Sequence, residues 1–135
     1  MTEIKRTIQV EVSPHKLWPY FDIRKWPEFS NTFTKVSINT TIFRVKTIAQ
    51  IHTKFGDNNF YFEAKMTAID ENKKLAFQRF DGPLPGMSTW ELVETKGGCR
   101  IENTVVFLHT LATPLKEQAT HWIDNFLGEI KTAVS

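Results

Sequence analysis

Phe80-Asp-Gly-Pro-Leu-Pro-Gly-Met-Ser-Thr-Trp-Glu-Leu-Val-Glu-Thr-Lys-Gly-Gly-Cys-Arg-Ile-Glu-Asn-Thr-Val-Val-Phe107 decides the fold. The segment reads as a turn, a strand, a Gly97-Gly98 turn and a second strand, and a long amphipathic helix follows from Thr113. Within that helix, placed over Pro114 to Ala133, one broad stripe carries Leu115, Ala119, Trp122, Ile123, Phe126, Leu127 and Ile130. Lys116, Glu117, Asp124 and Lys131 stay polar. A stripe this wide suits a helix lying across a sheet. A hairpin that hands the concave face of a sheet to one closing helix is a way for a small protein to wrap a cavity around an apolar ligand.

Upstream, the pattern predicts further strands over Thr32–Asn39, Phe43–Thr53, Asn59–Ile69 and Lys74–Phe80, with the hairpin strands over Ser88–Thr95 and Arg100–His109. Asn39-Thr40-Thr41, Gly56-Asp57-Asn58, Asp70-Glu71-Asn72-Lys73 and Gly82 to Gly86 supply turn chemistry between them. Links this short favour an antiparallel meander. The chain opens on an alternating strand in which Ile4, Ile8, Val10 and Val12 share one face. Ser13-Pro14 then gives a capped helix start, and Leu17, Trp18 and Phe21 are expected to face inward. Pro19 breaks that helix early, so two short helices are expected, the second over Arg24–Phe29. The fold class is α+β, with seven antiparallel strands and a long C-terminal helix.

Composition bounds the function classes. A 135-residue chain that is 41% hydrophobic and 24% charged reads as one globular domain, residues 1–135. A formal charge of +2 without a block of Lys and Arg gives no nucleic-acid footprint. No apolar run reaches the roughly 20 residues of a spanning helix, and Met1 to Arg6 lacks the apolar core of a signal peptide. Stable membrane insertion is therefore not expected, and a cytoplasmic location is. The lone Cys99 excludes an internal disulfide and a multi-cysteine zinc site. Aromatic residues make up 13% of the chain, enough either to fill a core or to line an apolar pocket.

The order of strand, two short helices, six strands and long helix resembles the START-like, or SRPBCC, superfamily, whose members share the helix-grip fold. Ile8 to Trp18 is similar to the family's opening. Trp26-Pro27-Glu28-Phe29, Asp81-Gly82-Pro83-Leu84, Trp90-Glu91-Leu92 and Gly98-Cys99-Arg100-Ile101 resemble its polyketide-cyclase and coenzyme-Q-binding-protein-like branch. The resemblance covers essentially the whole chain. It implies a cavity between curved sheet and C-terminal helix, and a quinone, isoprenoid, lipid or polyketide-like ligand. The segment from Ser37 to Arg44 contains no glycine, unlike the Gly-rich loop of the plant allergens in the superfamily.

Strand parity identifies polar residues on otherwise apolar faces. Arg6 shares the parity of Ile4 and Ile8, Arg79 that of Leu75 and Phe77, and Asn103 and His109 that of Ile101, Val105 and Phe107. Fraying at strand ends would instead send Arg6, Arg79 and His109 to solvent, and Asn103 would bond a neighbour or an internal water. If the first and last strands pair, Arg6 and His109 come near one another. The expected lining is Phe60, Phe62, Met66, Phe77, Trp90, Leu92, Phe107, Trp122 and Phe126, with Arg6, Arg79 and Asn103 orienting a polar head. No catalytic set is visible. His15, His52, His109 and His121 lack metal-ligand spacing, no metal or cofactor is expected, and Cys99 reads as a small filler. Parity puts Glu63 on the outer face. The expectation is a binding or carrier protein for a small hydrophobic molecule. A cyclase or dehydratase-type enzyme using the same cavity, or a protein-interaction module, stays open, as does a homodimer.

Overall fold

A computed structural model describes residues 1–135. Seven strands form one antiparallel sheet in the order β1-β7-β6-β5-β4-β3-β2. They are β1 (Thr2–Val10), β2 (Phe33–Ile38), β3 (Ile48–Phe55), β4 (Asn58–Asp70), β5 (Lys74–Phe80), β6 (Gly86–Thr95) and β7 (Gly98–Phe107). From β2 to β7 each strand pairs with the next in sequence, and β1 closes on β7 with Thr2 opposite Phe107 and Val10 opposite Cys99. Helices α1 (Pro14–Leu17) and α2 (Trp26–Phe29) lie between β1 and β2, joined by two 3-10 turns, Trp18–Phe21 and Ile23–Lys25. The long α3 (Thr113–Val134) ends the chain. This is the expected α+β helix-grip arrangement.

Alternation along the strands sorts residues as the pleat requires. Ala49, Ile51, Thr53 and Phe55 of β3, Phe62, Ala64 and Met66 of β4, and Cys99, Ile101, Asn103, Val105 and Phe107 of β7 are all buried. The apolar members of this set meet Ala119, Trp122, Ile123, Phe126, Leu127 and Ile130 of α3 in one core. Ser13 caps α1 by accepting from the Lys16 amide, and Pro14 sits in its first turn. Trp18, expected to face inward, is half-buried.

Most strand ends fall within two residues of expectation, with β6 starting at Gly86 and β7 running from Gly98 to Phe107, and two starts have a clear physical reason. β3 begins at Ile48 and not at Phe43, because the Thr47 hydroxyl accepts from the Arg44 amide and Lys46 takes a left-handed φ of 77°. That turn chemistry competes with extended pairing. α3 begins at Thr113, one residue before the expected Pro114, with Ala112 at its N-cap and no side-chain hydrogen bond closing the first turn.

Candidate functional site

The concave face and α3 enclose an aromatic interior whose centre is Trp26. This residue has no exposed surface, and its ring centroid lies 4.6 Å from Phe126, 4.8 Å from Phe33 and 5.2 Å from Trp90. Its indole nitrogen donates to the Tyr20 carbonyl at 2.8 Å, which fixes the ring from outside the sheet. Phe77 closes the floor, 5.4 Å from Trp90. The side chains expected to line a cavity therefore largely touch one another.

Two small voids remain, each of about 10 Å³. That is room for one water at most. The first is walled by Thr53, Phe55, Phe60, Phe62, Arg79, Pro83, Leu84 and Trp122. The second is walled by Phe33, Ser88, Trp90, Asn103, Val105, Trp122, Ile123 and Phe126. Trp122 belongs to both walls. It also borders an open polar cleft of about 380 Å³ that runs past Thr32, Lys54, Gln118, His121 and Glu129. Its indole nitrogen donates to Thr53 Oγ1 at 2.8 Å, and that hydroxyl donates on to the Thr32 carbonyl. Trp122 thus borders the open cleft and both voids at once, tethered through its indole.

Besides the Thr53 and Ser88 hydroxyls, polar groups of Arg79, Asn103 and Trp90 sit in this apolar interior. Arg79 is 2% exposed and has no acidic partner. It donates through Nε to the Leu84 carbonyl at 3.0 Å, through Nη1 to Ser88 Oγ at 2.5 Å and through Nη2 to the Val106 carbonyl at 2.6 Å. Its guanidinium lies 4.9 Å from the Phe107 ring centroid. Burial lowers its pKa to about 10, because a desolvated cation without a counter-charge is costly to keep. Asn103 donates to the Thr89 carbonyl at 2.9 Å. The Trp90 indole N–H is fully buried and has no acceptor, an exception to the rule that buried donors are paired.

Of the other sequence candidates, Phe60 is half-buried on the first void's wall, while Met66, Phe77, Leu92 and Phe107 are core residues that border neither void. Arg6 departs from its expected inward role. It is exposed and clasps Asp124 of α3 with contacts of 2.8 and 3.0 Å. Its strand position faces α3, but the sheet edge is close enough for the long side chain to leave the interior. Arg6 pairs with Asn103 across β1 and β7, so it is not beside His109, which is exposed past the end of β7. Cys99 is buried, and burial pushes its thiol pKa up, as for an unreactive filler.

Sequence reasoning missed Trp26, Phe33, Thr53, Ser88 and Leu84. Ser88 was findable, since it shares the parity of Trp90 and Leu92. Trp26 was not, because a four-residue helix carries no periodicity.

No protein-family model matches the sequence, and no curated protein matches it. Solved structures do. The chain is similar to a protein from Thermus thermophilus, TTHA0849, at TM-score 0.84 and 10% identity, covering 98% of this chain and 97% of that one. It is similar to a START superfamily protein from Mycobacterium smegmatis at TM-score 0.80 and 12% identity, covering 98% and 96%. It is also similar to the Zhui aromatase/cyclase from Streptomyces sp. R1128 at TM-score 0.77 and 12% identity, covering 98% and 90%. Identities this low speak for the fold, which is START-like, and leave the chemistry to the residues.

Proposed function

We propose, taking a START-like helix-grip fold with polar groups inside its aromatic interior as the premise, that the protein binds a small, largely apolar molecule with a polar head. The ligand would lie between the sheet and α3. The observation that carries this reading is Arg79, a buried cation with no acidic partner. Stability alone does not call for it, since apolar residues of similar volume often serve a core as well or better. Arg79 and Asn103 would orient the head, and the Trp90 N–H would gain the acceptor it lacks. A quinone, isoprenoid or polyketide-like molecule carries suitable carbonyl or hydroxyl oxygens, and the branch resemblance points the same way.

Room for such a ligand comes from moving Trp122. Its displacement would join the two voids to each other and to the outer cleft, at the cost of one tether to Thr53. Binding is favoured over acid–base catalysis because Arg79 is the only charged residue among the buried ones. General acid–base chemistry needs a titrating group within reach of the substrate.

The test is native mass spectrometry of the purified protein, followed by titration with a menaquinone analogue, a free fatty acid and an aromatic polyketide while Trp fluorescence is read. Saturable quenching by one of these, weakened by Asn103→Leu in a variant that melts like the parent, is the expected result. No response from any of them, with nothing co-purifying, removes the carrier reading. It would favour the second reading, a protein-interaction module, to which the nearly filled interior already lends support.

A further inference from the structure

The β2–β3 side of the sheet carries charge and exposed apolar groups for which the interior has no use. From Phe29 to Gly56 the sequence contains no Asp or Glu, yet it contains Lys35, Arg44, Lys46 and Lys54. All of these cations are exposed, and none forms an ion pair. β2 is an edge strand, so this strip borders solvent along its length. The loop from Asn39 to Thr47 projects from one end of the strip. Ile42 at its tip is 64% exposed and Val45 is 43% exposed, two of the few large apolar side chains left in solvent.

The loop's backbone is pinned. The Thr40 hydroxyl donates to the Ile42 carbonyl at 2.7 Å, the Arg44 amide donates to Thr47 Oγ1 at 3.2 Å, and the Lys46 amide donates to the Met66 carbonyl at 2.8 Å. Phe43 turns back and lies under Arg24, whose guanidinium is 5.9 Å from the ring centroid. Ile42 and Val45 are thus held outward with Arg44 between them and Lys46 beside them.

We propose that this loop docks the protein, reversibly and peripherally, on an anionic membrane surface. Aliphatic tips enter the boundary between head groups and acyl chains, while flanking cations meet the anionic lipid heads. A single-stranded nucleic acid would stack on exposed rings, but the loop's one ring, Phe43, is half-buried under Arg24, and the exposed His52 and Tyr61 lie on β3 and β4 and not on the loop. A purely ionic contact with an acidic protein would leave Ile42 and Val45 unused. No helix of the structure is long and apolar enough to cross a bilayer, so the contact would be a surface one. The loop joins β4 at Met66, whereas the void behind Trp122 borders Phe60 and Phe62 of the same strand. Docking and ligand binding therefore use different parts of the molecule.

The test is co-sedimentation with vesicles of phosphatidylcholine alone and of phosphatidylcholine with phosphatidylglycerol, at low and high salt. Binding to the anionic vesicles alone, weakened by salt, is expected. Arg44→Gln with Lys46→Gln should lower partitioning about five-fold per cation removed. Ile42→Ser with Val45→Ser should lower it at least about tenfold at unchanged melting temperature. Equal binding to both vesicle types, or no binding to either, overturns the proposal. So does full retention by the serine variant, which would leave simple adsorption of charge. Tighter capture by single-stranded RNA or heparin than by the vesicles would assign the strip to a polyanion instead.

Discussion

At the scale of the residue, the two buried indoles Trp122 and Trp90 make different predictions from the same chemistry. Trp122 has an acceptor for its N–H and Trp90 has none. Both Trp→Phe changes leave a small cavity, and Trp122→Phe should lose about 1 kcal/mol more, the usual net worth of a hydrogen bond. Trp90→Phe loses no hydrogen bond and sheds an unpaired buried donor, so it should be the milder of the two. Urea unfolding of both variants checks this, and a larger loss in Trp90→Phe than in Trp122→Phe would mean that its N–H has a partner, water or ligand. Trp122→Ala is a harsher change. It should cost about 3–5 kcal/mol and merge the two voids, leaving space that an apolar probe such as indole could fill. A melting shift near zero would mean that the α3 face is assigned wrongly.

At the scale of the element, the loop between β5 and β6 is fixed from two directions. Arg79 holds the Leu84 carbonyl and the Val106 carbonyl, while Gly86 enters β6 at a φ of 154°. A Cβ at Gly86 would collide with the Val106 carbonyl oxygen and approach Arg79 Nη2 to 2.8 Å. Gly86→Ala should consequently destabilise by more than about 2 kcal/mol, through strain and a disturbed Arg79, and chemical denaturation reads it directly. The β1–β7 pair offers a milder prediction. Lys5 and then Arg100 hydrogen-bond Glu102 and hold its carboxyl below the ordinary value of 4.5. A depressed folded pKa gives stability that is present above the ordinary value and is lost as pH falls below it, through the lower folded value. Glu102→Gln should flatten that part of the acid limb in a melting-temperature profile, and an unaltered acid limb would show that these surface pairs contribute nothing.

At the scale of the whole molecule, the sheet and its closing helix were legible in the sequence while the state of the interior was not. Period-two alternation from Asn59 to Phe107 and the stripe from Leu115 to Ile130 each report a local backbone geometry, and both survive in β4 to β7 and α3. Parity also found Asn103 and Arg79, whose neighbours in the strand are apolar. It misjudged Arg6, because alternation tells which face a side chain leaves from and not how far a long one travels. How full the interior is depends on Trp26, which the segment between β1 and β2 delivers from outside both periodic elements. A ligand that displaces Trp122 should raise the melting temperature with increasing concentration, by about 2.7 kcal/mol of added stability at a hundred times its Kd. Scanning calorimetry with the ligand found by native mass spectrometry checks this. The pairing of β1 has a further consequence, felt when the chain is made. β1 leaves the ribosome before the other strands, yet its only partner in the sheet is β7, with Ile4 opposite Val105. The meander from β2 can form piece by piece as it emerges, while the opening strand waits, unpaired and half apolar, for all six of the others to follow. Closing so long a loop is slow, so chaperones and aggregation both have their opportunity at β1 while it waits for β7.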